Sequence, residues 1–98
     1  MPDLRFEWDP SKEAENQRKH RVSFAEAESV FADEHALLID DPEHSDDEAR
    51  FVLMGLSARL RVLVVVHAYR ESTGVIRLIS ARKANSRERG IYNRRWRT

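Results

Sequence analysis

The sequence predicts one α+β domain over residues 1–98, built on an antiparallel sheet in the order β-α-α-β-β-β-β-α. Three observations support this fold class. Signals for one strand and two helices follow each other in the first third of the chain. Four apolar segments with short connections come next, which is typical of an antiparallel meander. A last helix-start signal lies near the C-terminus, and 98 residues suffice for one modest hydrophobic core.

The first strand and the first helix are predicted from adjacent patterns. Leu4, Phe6 and Trp8 alternate with charged residues, which is the period-two pattern of a half-buried strand. Asp9 followed by proline is typical of a helix N-cap and first helical position. The residues that follow contain no helix breaker, so the helix is expected to extend to about His20.

A capping box predicts the second helix. Ser23 is followed three residues later by Glu26, the spacing at which both side chains can bind the first helical turn. The apolar residues fall on one side of this helix, so we expect it to pack on the sheet. These residues are Phe24, Ala27, Val30 and Phe31.

Four strands and a final helix are predicted in the rest of the chain. The predicted strands are residues 36–39, 50–57, 61–69 and 75–83. The unbroken apolar segment at 62–66 is typical of a central strand covered on both faces. Asn85 then has the character of a helix N-cap, with Glu88 in the position of its capping partner.

Composition excludes several classes of protein. Because the chain has no Cys, it can form neither a disulfide nor a thiolate metal site. The histidines lie on different predicted elements, and the acidic segment at residues 33–48 lacks the central glycine of a calcium loop. We therefore predict neither a metal nor another cofactor. The N-terminus lacks the apolar core of a signal peptide and no apolar run could span a bilayer, which favours a cytoplasmic protein without membrane contact.

Charge is distributed very unevenly along the chain. Residues 82–98, here called the basic pole, hold seven Lys and Arg against one acid, a net charge of +6, while residues 1–81 carry −6. Cations grouped at a strand end and along the next helix form a surface for phosphates. A basic helix that docks on an acidic partner explains the same composition equally well.

One chemistry that suits the basic pole is metal-free RNA cleavage, in which the 2′-hydroxyl attacks the neighbouring phosphorus. This reaction needs a base, an acid and cations that stabilise the phosphorane. The candidates for proton transfer are Glu88, Tyr92 and His20. The candidates for charge stabilisation are Arg77, Arg82, Lys83 and Arg87. As the one acid of the basic pole, Glu88 is expected to have a lowered pKa, and orienting an arginine or capping the helix suits it equally well.

Further polar and aromatic side chains are candidates for RNA binding. The first helix has a polar stripe, which either lines the same groove or is simply a solvated face. The stripe consists of Lys12, Asn16, Lys19 and His20. The last helix contributes cations and a flat ring on which an unpaired base can stack. These candidates are Arg94, Arg95 and Trp96.

Three segments carry a family resemblance. They are FEWDPSKEAENQRKHRVSFAEAESVF at residues 6–31, the strand at 48–57 that begins with EARF, and RLISARKANSRERGIY at 77–92. Together they resemble the BrnT family of bacterial toxins from type II toxin–antitoxin systems. Two positions are unusual: Arg21 stands where the family usually has glycine, and Gly90 lies inside a predicted helix.

The resemblance implies a RelE-like fold and a ribonuclease that arrests translation. It also implies a BrnA-type antitoxin with a ribbon-helix-helix domain, which neutralises the toxin and supplies the contacts to operator DNA. Two hypotheses follow. The chain is either a metal-independent endoribonuclease or a non-enzymatic basic module that blocks translation or serves as the antitoxin's co-repressor partner. A purely structural subunit would need its basic pole covered in every state.

Overall fold

The computed structural model describes residues 4–40 and 49–95, in which helices cover both faces of one sheet. The strands are β1 (Arg5–Glu7), β2 (Leu37–Asp40), β3 (Ala49–Leu56), β4 (Val62–Arg70) and β5 (Val75–Lys83). The helices are α1 (Pro10–His20), α2 (Phe24–Ser29) and α3 (Ser86–Arg95), and a 3-10 turn at Val30–Ala32 follows α2. Trp96 and residues 41–48 of the acidic segment lie outside the described residues.

The sheet is mixed, with the strand order β1-β5-β4-β3-β2. Strands β2 to β5 form the predicted antiparallel meander. The prediction of a purely antiparallel sheet is wrong at β1, because β1 pairs in parallel with β5, with Phe6 opposite Ile76. The connection explains the difference. The chain leaves β1 through α1 and α2 and reaches β2 at the opposite edge, and the meander then returns β5 to β1 in the same direction.

Both faces of the sheet are hydrophobic. The α2 face packs against α2 and the 3-10 turn, and its buried residues include Phe24, Leu63, Val65 and Leu78. The α3 face packs against α3, and its buried residues are Met54, Val64, Ala84 and Tyr92. Since β4 contributes to both clusters, the prediction of a central strand covered on both sides is confirmed.

Both N-terminal helices begin at the predicted caps. The Asp9 carboxylate accepts a backbone N–H of the first turn at 2.8 Å, and Ser23 Oγ accepts the N–H of Glu26 at 3.0 Å. Helix α1 is followed by Arg21, whose φ of 56° lies in the left-handed region that favours glycine. The chain therefore turns sharply just after His20, with an arginine in a backbone conformation that glycine adopts more readily.

Candidate functional site

The basic pole begins with the predicted capping box. The Glu88 N–H donates to Oδ1 of Asn85 at 2.8 Å, and the Asn85 N–H donates to Oε1 of Glu88 at 2.9 Å. The Arg82 guanidinium donates to both Glu88 oxygens, each at 2.8 Å. Arg82 is the main cause that lowers the pKa of Glu88 from 4.5 to about 2. The predicted pKa shift is confirmed, and so weakly basic a carboxylate is suited to orienting Arg82, not to accepting a proton.

The Tyr92 side chain is buried and forms a structural hydrogen bond with Asp33. Its side chain is 2% exposed, and its hydroxyl donates to Oδ2 of Asp33 at 2.6 Å. Asp33 also accepts the N–H groups of Leu56 and His35, at 2.8 and 3.0 Å. Burial acts to raise the pKa of Asp33, but these hydrogen bonds outweigh it and the pKa is lowered. Because the Tyr92 hydroxyl is buried against an ionised carboxylate, we remove it from the candidates for proton transfer.

Gly55 makes room for the Asp33 contact. A Cβ atom at this position would lie 2.9 Å from Oδ2 of Asp33 and 2.9 Å from Cβ of Ala36. Both distances are shorter than van der Waals contact allows, so a larger residue would displace the loop that holds Tyr92. An isolated glycine within a strand is the sequence signal for such a close approach, and the sequence analysis did not use it.

The two arginines at the end of α3 have different surroundings. Arg95 donates to the carbonyl oxygens of His35 at 2.7 Å and Ala36 at 3.3 Å, so it fastens α3 to the start of β2. Arg94 is exposed and lies beside Glu34 in an open depression. Tyr92 and Arg95 both serve to attach α3 to the rest of the fold, and Arg95 is no longer a candidate for RNA binding.

A β-bulge interrupts the regular alternation of β5. The register with β4 pairs Val66 with Ser80 but His67 with Leu78, so Ile79 is an additional residue in β5. A bulge of this kind shifts the faces on which the following side chains lie.

The bulge brings two predicted cations to one face. Strict alternation would place Arg77 and Arg82, five residues apart, on opposite faces of the sheet. Arg77 pairs instead with Ala68 and Arg82 with Val64, two β4 residues that share the α3 face. Ser80 lies on the same face between the two arginines.

The polar stripe of α1 faces the bulge across an open cleft of about 230 Å³. The lining residues are Lys12, Glu15, Asn16, Lys19, His20, Ile79 and Ser80. Four predicted site residues from α1 therefore meet β5 at one place, and Ser80 belongs both to the cleft and to the face of Arg77 and Arg82. Sequence reasoning missed Ile79 and Ser80, because nothing in the sequence indicates the bulge.

Asn16 is the buried residue of this polar stripe. It is 5% exposed, and its carboxamide binds the backbone of Val22 and Ala81. Both of its N–H donors are in use, which corrects the prediction that Asn16 binds RNA.

Lys83 and Arg87 lie apart from the cleft. Lys83 pairs with Leu63 and so lies on the α2 face, opposite to Arg82, where it is exposed. Arg87 is exposed in the first turn of α3, next to Glu88. Arg82, Lys83 and Arg87 thus lie around the end of β5 on both faces, and the predicted cations do not converge on one point.

A second arginine–glutamate pair was missed by the sequence analysis, which treated Glu26 as a capping residue. The Glu26 carboxylate binds the guanidinium of Arg61 and accepts the hydroxyl hydrogen of Ser57 at 2.7 Å. The Arg61 contact is the main cause that lowers the pKa of Glu26. Arg61 also donates to the carbonyl oxygen of Arg21 at 3.2 Å, which supports the turn after α1.

The described residues contain neither a metal-binding cluster nor a membrane-spanning helix. Across residues 4–40 and 49–95, no three His, Cys, Asp or Glu side chains form a group that could hold a metal ion. No helix in the same part of the chain is long and apolar enough to cross a bilayer.

Comparison with known proteins identifies the class and then the family. The family model described as "Ribonuclease toxin, BrnT, of type II toxin-antitoxin system" matches residues 8–88. The class is that of toxins from type II toxin–antitoxin systems. Within it, this chain belongs to the BrnT ribonuclease toxin family, as its sequence resemblance indicated.

A solved structure has the same fold. The crystal structure of the Brucella abortus ribonuclease toxin BrnT matches with a TM-score of 0.64 and 24% sequence identity, and the match covers 86% of this chain and 100% of that chain. The α+β prediction is therefore confirmed at the level of fold. No curated protein sequence matches the chain significantly.

Proposed function

We propose that this chain is a metal-independent endoribonuclease of RelE-like fold that cleaves RNA in the cleft between α1 and β5. The observation that supports this site is the meeting of Lys12, Lys19 and His20 with the β5 bulge. A base, cations and an open surface next to further arginines are what metal-free RNA cleavage requires.

The proposed reaction is a transphosphorylation. The 2′-oxygen forms a bond to the adjacent phosphorus while the bond from phosphorus to the 5′-oxygen breaks. A base takes the proton of the 2′-hydroxyl, and an acid gives a proton to the departing 5′-oxygen. The products are a 2′,3′-cyclic phosphate and a 5′-hydroxyl end. Cations stabilise the extra negative charge on the phosphorane.

His20 is the proposed proton-transfer residue. It lines the cleft at the last residue of α1, and an imidazole ring is the side chain used most often for general acid–base catalysis. Lys12 and Lys19 lie on the same helix and can bind the scissile or a neighbouring phosphate. Lys19 already pairs with Glu15 at 3.1 Å, but both side chains are more than half exposed, so RNA can compete for this lysine.

The arginines of the α3 face extend this surface. Arg82 is held in a fixed orientation by Glu88, which suits it to a phosphate oxygen, and Arg77 lies on the same face beyond Ser80. The remaining exposed cations contact the flanking RNA backbone in this proposal, and Trp96 stays a proposal for base stacking. These cations are Lys83, Arg87 and Arg94.

The family membership supports the biological part of the proposal. We infer that cleavage arrests translation in the cytoplasm and that a BrnA-type antitoxin with a ribbon-helix-helix domain neutralises the chain. Operator DNA is contacted only through this antitoxin. The basic surface around β5 is the part of the toxin that an antitoxin must cover to stop RNA from binding.

The test is incubation of the purified protein with mixed-sequence RNA in excess EDTA. The wild type is expected to produce 2′,3′-cyclic phosphate ends, and His20→Ala to cut about 100-fold more slowly because proton transfer is lost. Arg18→Ala is the matched control, since Arg18 is an exposed cation of α1 outside the cleft lining, and it is expected to cut at the wild-type rate.

Three results would contradict the proposal in different ways. Loss of cutting in EDTA that returns with a divalent metal would overturn metal independence. Equal rates for His20→Ala and wild type would remove His20 from the mechanism. If free RNA survives while the protein halts translation in a cell extract, cleavage of free RNA is wrong, and mapping message ends on stalled ribosomes would distinguish ribosome-dependent cutting from simple blockade.

A further inference from the structure

Asn16 joins three segments around the cleft. Its Nδ2 donates to the carbonyl oxygens of Val22 and Ala81, each at 2.9 Å, and its Oδ1 accepts the Ala81 N–H at 3.0 Å. The side chain belongs to α1, Val22 lies just after the turn that ends α1, and Ala81 belongs to β5. One buried carboxamide therefore ties the helix, the turn and the strand together.

The contact with Ala81 continues the sheet where β1 ends. Strand β1 covers the outer edge of β5 only as far as the pairing of Glu7 with Arg77. The Asn16 amide then binds both the N–H and the carbonyl of Ala81, as a neighbouring strand would. Between these two attachments lie Ile79 and Ser80, the β5 residues that line the cleft.

The chemistry of the position requires a carboxamide. Aspartate could accept the Ala81 N–H but has no donor for the two carbonyl oxygens, and alanine could do neither. Burying either change leaves backbone groups without partners. Glutamine has the right groups but is longer by one methylene, so it would push α1 away from β5.

We propose that Asn16 is a positioning residue for the cleft, which holds Lys19 and His20 at a fixed distance from the β5 bulge. The inference rests on the proposed function for its catalytic consequence. Asn16 lies one helical turn before His20, and its third contact fixes the carbonyl of Val22 on the other side of the same turn. The backbone segments on both sides of His20 are thus tied to β5 by the same side chain.

The alternative is that Asn16 only stabilises the fold by capping the edge of β5. A matched destabilising variant separates the two roles. Val30→Ala removes methyl groups from the α2-face core, where Val30 is 0% exposed, and it does not touch the cleft. Asn16→Ala and Val30→Ala are compared at a temperature at which thermal melts show both to be folded.

We expect Asn16→Ala to lower kcat for RNA cleavage by about tenfold or more with little change in KM, because a displaced proton-transfer group affects the reaction more than binding. Val30→Ala should keep its kcat within about twofold of wild type despite a comparable loss of thermal stability. Equal kcat values for Asn16→Ala and wild type would overturn the proposal and leave Asn16 as an edge cap.

A second measurement does not depend on RNA cleavage. The NMR signal of the His20 imidazole Cε1–H should shift in Asn16→Ala and stay in place in Val30→Ala. If the wild type does not cut RNA, this comparison still decides whether Asn16 positions His20. An unchanged His20 signal in Asn16→Ala would contradict the positioning role, whatever the chain does to RNA.

Discussion

Two arginine–glutamate pairs in this chain have the same chemistry but different surroundings. In the pair of Arg61 and Glu26, the side chains are 28% and 3% exposed. In the pair of Arg82 and Glu88, they are 43% and 23% exposed. The first pair combines a buried carboxylate with a partly exposed guanidinium, and both side chains of the second pair are more exposed, at the surface of the basic pole.

The two pairs also differ in how far along the chain their additional partners lie. Glu26 and Arg61 bind Ser57 and the carbonyl of Arg21, so they join α2, the turn between β3 and β4, and the end of α1. Arg82 and Glu88 are six residues apart, and their further bonds stay within residues 82–88.

The differences in exposure and in contacts suggest different roles for the two pairs. A buried pair that joins distant segments leaves an uncompensated charge in the interior when one partner is removed. A local, partly exposed pair contributes less to stability, but it keeps a cation oriented where a phosphate can reach it. The same residue types thus support the fold at one site and, at the other, orient a partly exposed cation that binds RNA in our proposal.

The largest expected effect comes from breaking the buried pair. Glu26→Ala should lower the free energy of unfolding by about 3 kcal/mol, because Arg61 and Ser57 lose their buried partner. Urea unfolding followed by circular dichroism measures this loss. The double variant Glu26→Leu with Arg61→Met should recover much of it, since no charge is left unpaired. A loss below about 1 kcal/mol in the single variant would place this pair with ordinary surface salt bridges.

A smaller effect with a defined pH dependence is expected at the surface pair. The pKa of Glu88 is lowered from 4.5 to about 2 in the folded chain, so its ionised form contributes stability above the unfolded-state pKa. We expect the stability difference between wild type and Glu88→Gln to be constant above about pH 5 and to shrink as the pH falls toward the folded pKa. Urea unfolding at a series of pH values measures it, and a difference that grows on acidification would contradict the low pKa.

Local signals predicted the start of each helix and the order of the elements. Asp9, Ser23 and Asn85 act as caps because a capping side chain binds N–H groups two or three residues away. The apolar meander was predictable for a similar reason, since each strand is recognised from its own residues. Strand direction at β1 was not, because it depends on which edge the chain reaches after the helices.

The candidate site was predicted in residue type but not in arrangement. Tyr92 and Glu26 were assigned roles from their own helices, but their partners lie 59 and 35 residues away, at Asp33 and Arg61. The shared face of Arg77 and Arg82 depends on the bulge, which exists only in the register of β5 with β4. Such long-range pairings leave no periodic pattern in the sequence.

A third ion pair extends the comparison to side chains that are more than half exposed. Glu15 and Lys19 are 51% and 65% exposed and one helical turn apart on the wall of the cleft. Glu15→Gln should leave the urea midpoint unchanged, since an exposed pair adds little to stability. The hydrogen bond from Lys19 lowers the pKa of Glu15, so the carboxylate is charged at neutral pH and repels phosphate.

Although Glu15→Gln should not change stability, it should change the affinity for RNA. Fluorescence anisotropy with 2′-O-methyl RNA, which cannot undergo 2′-hydroxyl attack, should show tighter binding by Glu15→Gln at low salt, and the gain should disappear at high salt. Glu28→Gln is the matched control, since Glu28 lies on α2 outside the cleft lining. If Glu15→Gln and Glu28→Gln tighten RNA binding by the same amount relative to wild type, the total charge of the protein decides the affinity. A gain in affinity for Glu15→Gln alone would mean that RNA enters this cleft. An exposed ion pair that contributes little to stability would then control how tightly the substrate binds.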